Sequence, residues 1–218
     1  CPHIDHIIID SVSIDQTLKI AESLLKDKNR IFSEQDRNIY EGLNKGIVRA
    51  RGDIIGIIHS DDYLADATVI HDVVNTFKSD NCDFLYSNLQ IFRAEDPAKI
   101  IRTWTAGPLK KAKIQKGWAF PHPTLFIKKH VIESLGLYDE KYEISADYDF
   151  ILRLLKSRFR GSYLNRMTYK MQHGGASTTP KNFIKITTED LKVIRSHGLP
   201  PLRSLLNKKM SKLQQLWK

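Results

Sequence analysis

Two adjacent carboxylates follow an apolar segment of the chain. Residues 53–66 read DIIGIIHSDDYLAD, in which the run of isoleucines is typical of a buried strand and Asp61 and Asp62 come directly after it. Neighbouring carboxylates repel each other unless a cation lies between them, and the hard cations Mg²⁺ and Mn²⁺ prefer carboxylate oxygens that they share with substrate phosphates. The pair therefore predicts a divalent cation site. The alternative is that one of the two aspartates caps the helix that follows.

Strands and helices alternate around this pair. We expect strands at residues 3–10, 53–59, 82–92 and 98–105, and helices at residues 13–28, 36–52 and 69–77. Ser13 and Gln16 have the spacing of a capping box at the first helix. The alternation predicts an α/β fold with a mostly parallel sheet, in which ligands bind beyond the carboxyl ends of the strands. Asp10 lies at such an end, as the acidic pair does.

The second half of the sequence is less regular. It predicts a short strand at residues 124–127, helices at 128–136 and 147–157, a strand at 162–171 and a glycine loop at 173–178. Asp149 and Arg153 have the i, i+4 spacing of an ion pair on a helix surface. His122, between two prolines, is a candidate for the acceptor side of a site, and each histidine that we single out is equally well explained as structural.

Composition and charge exclude several classes of protein. The 218 residues are 41% hydrophobic and 27% charged, which is a folded globular balance. No apolar run approaches the ~20 residues that span a bilayer, and carboxylates interrupt the first apolar residues, so we expect a cytoplasmic protein. No glycine-rich phosphate loop of the Walker or dinucleotide type is present. Cys1 and Cys82 have no spacing that predicts a disulfide or a metal site.

Most of the net charge of +9 lies in residues 181–218, which contain nine Lys or Arg and two acids. Leucines and a tryptophan stand among these lysines, as in an amphipathic helix that lies on an anionic membrane surface. Packing of this helix on the rest of the chain is the alternative. We expect no nucleic-acid binding, because no recognisable binding module accompanies the basic segments.

Four blocks of the sequence together resemble a known family. The blocks HIIIDSVSIDQT, SEQDRNIYEGLNKGIVRARGDIIGIIHSDDYL, HPTLFIKKHVIESLGLYDEKYEISADYDFILRL and HGGAS, in this order, are similar to those of a family 2 glycosyltransferase with the GT-A fold. The resemblance spans residues 4–177. It implies a Rossmann-like α/β fold with a mixed sheet flanked by helices. In domain terms, it implies a GT-A domain at residues 1–180, with a nucleotide-sugar half at 1–105 and an acceptor half at 106–180, followed by a basic helical tail at 181–218.

The resemblance also implies an activity. Enzymes of this kind transfer a sugar from a UDP- or GDP-sugar to a saccharide or lipid-linked acceptor, usually with inversion, in the synthesis of surface polysaccharides. They hold Mn²⁺ or Mg²⁺ on the diphosphate. Asp62 would ligate this cation, Asp61 would assist it or reach the ribose, and His173 would close over the cation or the diphosphate. Asp147, in the block ISADYDF, would be the catalytic base.

Three further residues match the positions at which the family binds its donor. Asp10 would accept hydrogen bonds from the base or ribose, and Asn44 and Lys45 lie on the helix before the acidic pair. The alternatives are a loop carboxylate for Asp10 and a solvated helix face for the other two.

The sequence departs from the family at its beginning. Family members normally open with a strand, a turn and a helix ahead of the IIID block, so we expect an N-terminally truncated sheet that lacks a strand. The segment DSVSID replaces a glycine-rich DGGSTD, and its bulkier residues are expected to crowd the donor. The competing interpretation is therefore a GT-A-like remnant that folds but has no catalytic function.

Overall fold

The computed structural model describes residues 3–174 and 182–214. In these ranges the strands are β1 (Ile8–Asp10), β2 (Ile31–Ser33), β3 (Ile54–Gly56), β4 (Tyr63–Leu64), β5 (Phe84–Arg93), β6 (Asp96–Trp104), β7 (Phe126–Lys128) and β8 (Gly161–Gln172). The helices are α1 (Thr17–Leu24), α2 (Ile39–Arg49), α3 (Val69–Asp80), α4 (Lys111–Ile114), α5 (Lys129–Leu135), α6 (Ala146–Lys156), α7 (Phe183–Ser196) and α8 (Pro201–Gln214).

The strands form two sheets. Strands β1 and β2 pair in parallel and form a two-stranded sheet. The larger sheet has the order β3-β7-β5-β8-β4, with β6 paired to the far end of β5. Only β5 and β8 are parallel in this larger sheet. The mixed sheet is thus confirmed, and the mostly parallel sheet is wrong, because the two-residue connection between β5 and β6 can join only antiparallel strands.

The predicted helices α1 and α3 differ in how many apolar side chains they bury. Val69, Val73 and Phe77 of α3 are all buried. In α1 only Ala21 is buried, and the capping box is wrong, because Gln16 is the N-cap residue and its side chain caps nothing. The helix start is held instead by the Asp15 carboxylate, which accepts a hydrogen bond from the backbone N–H of Thr17 at 2.9 Å.

The main core lies between the larger sheet and helices α2, α5, α6 and α7. Its members include Tyr86 and Phe120, whose rings stack at 4.4 Å, together with Phe150 of α6 and Val193 and Ile194 of α7. The residues Val193 and Ile194 of α7 thus pack in the same core as those of α6. Within the described ranges no helix is long and apolar enough to cross a membrane.

Candidate active site

Asp62 lies in a turn after β3 and is held by the far end of β8. The Asp62 backbone N–H donates to the carbonyl of His59 at 3.1 Å. One carboxylate oxygen accepts from the hydroxyl of Tyr169 at 3.0 Å and the other from the backbone N–H of Gln172 at 2.9 Å. Burial raises the pKa of Asp62, and these two hydrogen bonds only partly offset that effect, while the charge of Asp61 adds to it. The neighbours of Asp62 therefore do not fully compensate the negative charge of its ionised carboxylate.

A divalent cation fits this arrangement. Asp62 is half-buried and Asp61 beside it is exposed, so the pair presents hard oxygen atoms at the surface. No three His, Cys, Asp or Glu side chains in residues 3–174 and 182–214 come together as a complete metal site. This donor set suits Mg²⁺ or Mn²⁺, which usually bind one or two carboxylates and take their other ligands from water and substrate phosphates.

His173 lies next to the residue that bonds Asp62. Its backbone N–H donates to the carbonyl of Phe92 at 2.9 Å, which extends the β5–β8 pairing by one residue. His173 is exposed and follows Gln172 directly, so it lies at the acidic pair's end of β8. The glycine loop after it, from residue 175 on, lies outside the described residues. Metal binding by His173 stays a prediction.

Asp147 occupies the first turn of α6. One of its carboxylate oxygens accepts from the backbone N–H of Tyr148 at 2.7 Å and lies 3.4 Å from the hydroxyl of Tyr40. That hydroxyl donates to the carbonyl of Ile144 at 2.5 Å. A helix N-terminus favours negative charge, and the side chain remains half-buried. Asp147 is therefore an ionisable carboxylate that is oriented by two neighbours and reachable from solvent.

The charges of both carboxylates affect the imidazole of His59. Burial lowers the pKa of His59, whereas the charges of Asp62 and Asp147 both raise it, so both carboxylates act on one ring. That ring faces the ring of His122 at 6.2 Å. His122 is buried, its Nε2 is 2.6 Å from the hydroxyl of Tyr138, and burial lowers its pKa to about 4. The charge of Asp147 also tends to raise the pKa of His122, where burial outweighs it.

Asp10, which is predicted to bind the donor, accepts hydrogen bonds from within the chain. The same oxygen of its carboxylate accepts from the backbone N–H of Ser13 at 3.0 Å and from the hydroxyl of Ser33 at 2.7 Å. Burial alone would raise the pKa of Asp10, but these hydrogen bonds outweigh it and lower the pKa. The loop that makes the first bond contains Val12, whose φ of 57° lies in the left-handed region that β-branched residues avoid.

The side chains of Asn44 and Lys45 also form hydrogen bonds within the protein. The amide of Asn44 donates to the carbonyl of Tyr138 and to Glu140, and it accepts from the Tyr138 N–H, all at 2.9–3.0 Å. The ammonium of Lys45 donates to Asp36 at 2.7 Å. These bonds brace α2, and donor binding by the two residues stays a prediction.

Comparison with known proteins decides the family. The model of "Glycosyl transferase family 2" matches residues 1–134. The chain belongs to glycosyl transferase family 2. It is 28% identical over 151 residues to a glycosyltransferase of Mycobacterium tuberculosis. The match covers 69% of this chain and 56% of that protein. It is 24% identical over 157 residues to a PGL/p-HBAD biosynthesis glycosyltransferase of Mycobacterium bovis, covering 70% and 59%. The chain thus spans little more than half the length of these relatives.

Solved structures show the same fold. The chain matches S. aureus TarS 1–349 with a TM-score of 0.57 at 16% identity, covering 91% of this chain and 58% of that one. It matches the complex of that protein with UDP-GlcNAc with a TM-score of 0.59 at 15% identity, covering 91% and 59%. The GT-A fold that the sequence predicts for this family 2 chain is confirmed.

The family match covers only part of the candidate site. Asp61, Asp62 and His59 lie inside residues 1–134, whereas Asp147 and Tyr169 lie beyond them. His59 begins the segment HSDD, which resembles the acidic motif of the family, so a local signal for this residue existed. For Tyr169 there was none, because it reaches Asp62 across 107 residues of sequence.

The ion pair predicted for α6 forms between the predicted residues, but it does not lie on the helix surface. Arg153 Nε donates to the Asp149 carboxylate at 2.9 Å. Asp149 is buried, however, because His197 at the end of α7 covers it with Nε2 at 2.9 Å from its other oxygen. In this family 2 chain Asp149 therefore joins α6 to α7.

Proposed function

We propose that this chain transfers a sugar from a nucleotide diphosphate donor to a hydroxyl of a saccharide or lipid-linked acceptor, with inversion at the anomeric carbon. The observation that carries this proposal is the carboxylate of Asp62, which Tyr169 and Gln172 hold in place beside the exposed Asp61 in a family 2 chain. Inversion needs an anchor for the leaving group and a base for the acceptor on opposite sides of the reacting carbon. Asp62 would supply the anchor through a bound cation, and Asp147 at the start of α6 would supply the base.

On the donor side, Asp62 and Asp61 would hold Mg²⁺ or Mn²⁺ together with the diphosphate oxygens. The bound cation supplies electrostatic stabilisation of the charge that develops on the leaving diphosphate. Tyr169 and the backbone of Gln172 fix the Asp62 carboxylate before any donor arrives. Such preorganisation means that little reorganisation is needed during the reaction.

On the acceptor side, Asp147 takes the proton. As the acceptor oxygen bonds to the anomeric carbon, its proton moves to the Asp147 carboxylate, and the bond from that carbon to the diphosphate breaks with its electron pair on the leaving oxygen. The hydrogen bond from the Tyr148 N–H keeps the carboxylate at the start of α6. His122 is buried and its Nε2 bonds the Tyr138 hydroxyl, whereas Asp147 is half-buried, so Asp147 is the group of this cluster that an acceptor hydroxyl can reach.

Similar proteins supply the first probes. S. aureus TarS was solved with UDP and with UDP-GlcNAc, and a mycobacterial relative is named for PGL/p-HBAD biosynthesis. We therefore propose a UDP-sugar as the first donor to test, with GDP-sugars as the alternative, and a surface glycan or glycolipid as the product.

Calorimetric titration with UDP and GDP, with and without Mn²⁺, tests the donor side. We expect Mn²⁺-dependent binding of one nucleotide by the wild type, loss of that dependence in Asp62→Asn, and wild-type behaviour in Asp53→Asn, which removes an exposed carboxylate at the start of β3. Absence of nucleotide binding by the wild type under all conditions would contradict the proposal and favour a non-catalytic GT-A-like domain. Incubation with UDP-sugars and lipid-linked acceptors then identifies the product.

We also propose that α8 rests on an anionic membrane surface. Its inner face packs on the protein through Ser204 and Leu205, while Leu202, Leu206 and Met210, four residues apart, form an exposed apolar stripe. Lys209 lies on one side of the stripe and Arg203 on the other, as in helices that bind the interface between anionic headgroups and acyl chains.

Co-sedimentation with vesicles tests this surface. We expect binding to vesicles with anionic lipids, weaker binding to purely zwitterionic vesicles, and loss of binding in Leu202→Ser/Leu206→Ser. The matched control, Ile39→Ser, removes an exposed apolar side chain from α2. Equal binding of the double variant and the wild type would contradict the proposal.

A further inference from the structure

Helix α7 contacts the turn that leads into Asp147. One oxygen of the Glu189 carboxylate accepts from the backbone N–H of Glu143 at 3.1 Å. The other oxygen accepts from the N–H groups of Ile144 at 2.9 Å and Ser145 at 3.0 Å. Glu189 is buried, so its carboxylate depends on these three N–H donors rather than on water. A single side chain thus holds three successive peptide groups immediately before α6.

The first turn of α6 needs such a partner. The N–H groups at a helix start have no acceptor within the helix and usually bond the side chain of the N-cap residue. Ser145 is the N-cap residue, but its side chain makes no capping bond, because its hydroxyl donates to Asp190 at 2.9 Å. Successive N–H groups before a helix form a concave site for an anion. Glu189 supplies that anion from a different helix.

Asp190, the neighbour of Glu189, attaches α8 to the same turn. Besides Ser145, its carboxylate binds the ammonium of Lys208 at 2.7 Å. Lys208 also lies over the ring of Tyr148 at 3.7 Å. Two adjacent buried carboxylates would repel each other, yet each has its own compensation: the peptide N–H groups for Glu189 and the ammonium for Asp190. The α7–α8 pair is therefore built around the start of α6.

We propose that Glu189 is a positioning residue for Asp147, an inference that rests on the proposed function. Ile144 is bonded from both directions, since Glu189 accepts from its N–H while the Tyr40 hydroxyl donates to its carbonyl. The same hydroxyl lies 3.4 Å from Asp147. Glu189 and Tyr40 together fix the peptide path into α6 and hence the place of the base. This segment lies beyond the part of the chain that the family model matches.

Glu189→Gln tests the inference with little change in volume. The glutamine keeps one acceptor oxygen but turns an amide NH₂ toward a peptide N–H, so it cannot hold all three donors. The matched control is His197→Asn, which breaks a separate polar contact between the end of α7 and α6, at Asp149, without touching residues 143–147. Hydrogen exchange at residues 143–145, steady-state kinetics and urea unfolding are measured on the wild type and both variants.

We expect Glu189→Gln to lower kcat about 10- to 100-fold, the usual effect of removing a group that orients a reacting residue. The donor KM should change less than about twofold, because Asp62 and its partners are untouched. Exchange at residues 143–145 should accelerate in Glu189→Gln alone. His197→Asn should lose stability while keeping kcat.

Equal kcat in the wild type and Glu189→Gln would overturn the inference, and so would equal losses of kcat in the two variants, which would indicate a general loss of stability. Unchanged exchange at residues 143–145 would overturn it without any reference to catalysis. Failure of the proposed function has a different signature: the wild type itself would transfer no sugar, or Asp147→Asn would transfer it as well as the wild type.

Discussion

Asp10 and Asp62 are both carboxylates beyond a strand of this α/β fold, and their surroundings affect them in opposite directions. Burial tends to raise the pKa of each. In Asp10 the hydrogen bonds from Ser13 and Ser33 outweigh burial, and the pKa is lowered. In Asp62 the bonds from Tyr169 and Gln172 do not, and the pKa is raised.

The difference distinguishes a carboxylate whose charge the chain stabilises from one whose charge it does not. Hydrogen bonds within the chain stabilise the ionised form of Asp10, and donor binding by this residue stays a prediction. The charge of Asp62 is held in place by two hydrogen bonds but is not fully compensated, and in the proposed function a cation would provide the missing compensation. Residues at functional sites commonly cost stability in this way.

The largest effect is expected for transfer by Asp62→Asn. Asparagine retains the shape and can still bond Tyr169 and Gln172, so only the negative charge is lost. Because the leaving diphosphate depends on the cation that this charge holds, kcat/KM should fall about 100- to 1,000-fold. A radiolabelled-sugar transfer assay measures it, with Asp53→Asn as the control. A rate of transfer within about threefold of the wild type would contradict a catalytic role for the Asp62 charge.

A large loss of stability is expected for Asp10→Ala. The substitution leaves the Ser13 N–H and the Ser33 hydroxyl without their charged acceptor, at a cost of about 1.5–3 kcal/mol of unfolding free energy. Urea unfolding measures this loss. Asp15→Ala, which removes an exposed carboxylate of the same loop, should cost less. If Asp10→Ala keeps its stability but loses nucleotide binding, Asp10 is a donor-binding residue after all.

The two carboxylates should also have opposite pH dependence. The stability contributed by Asp10 is present above its unfolded pKa, near 3.8, and is lost as pH falls through its lower folded value. Asp62 has a folded pKa above 3.8, so without metal its ionisation lowers stability as pH rises through 3.8 toward that folded value.

Urea unfolding across a pH series compares Asp62→Asn with the wild type. Without metal the variant should be the more stable protein at neutral pH, and the difference should vanish below 3.8. Mn²⁺ should reverse the order, because it stabilises only the protein that binds it. A wild type more stable than Asp62→Asn at neutral pH without metal would show that the two hydrogen bonds compensate the charge fully.

The smallest effect is expected at Val12, in the loop that holds Asp10. Its side chain is 53% exposed and its φ is 57°, so Val12→Gly removes strain and almost no packing. Stability should rise by less than about 1 kcal/mol. The same change in the helix α2, Val48→Gly, should lower stability by about 1 kcal/mol. A decrease in both variants, measured by thermal unfolding, would show that the left-handed conformation of Val12 carries no strain.

Much of the fold was predictable from local patterns. The stripe of α3 repeats at helical spacing and packs on one sheet face, and Asp61 and Asp62 follow a run of isoleucines. The mixed order of the strands was not predictable from alternation, since antiparallel pairing depends on which distant strands meet. The capping box at Ser13 failed for a similar reason, because Asp10 already takes the Ser13 N–H.

By itself the sequence determined the composition of the site: an acidic pair after one strand, a further aspartate at a helix start and the order of motifs that family 2 shares. Only the tertiary structure decided the surroundings of each charge. Tyr169 reaches Asp62 across 107 residues, and Glu189 reaches Ser145 across 44. The physical reason is that a motif specifies the type of a side chain, whereas its pKa and orientation depend on burial and on hydrogen-bond partners that distant segments bring to it.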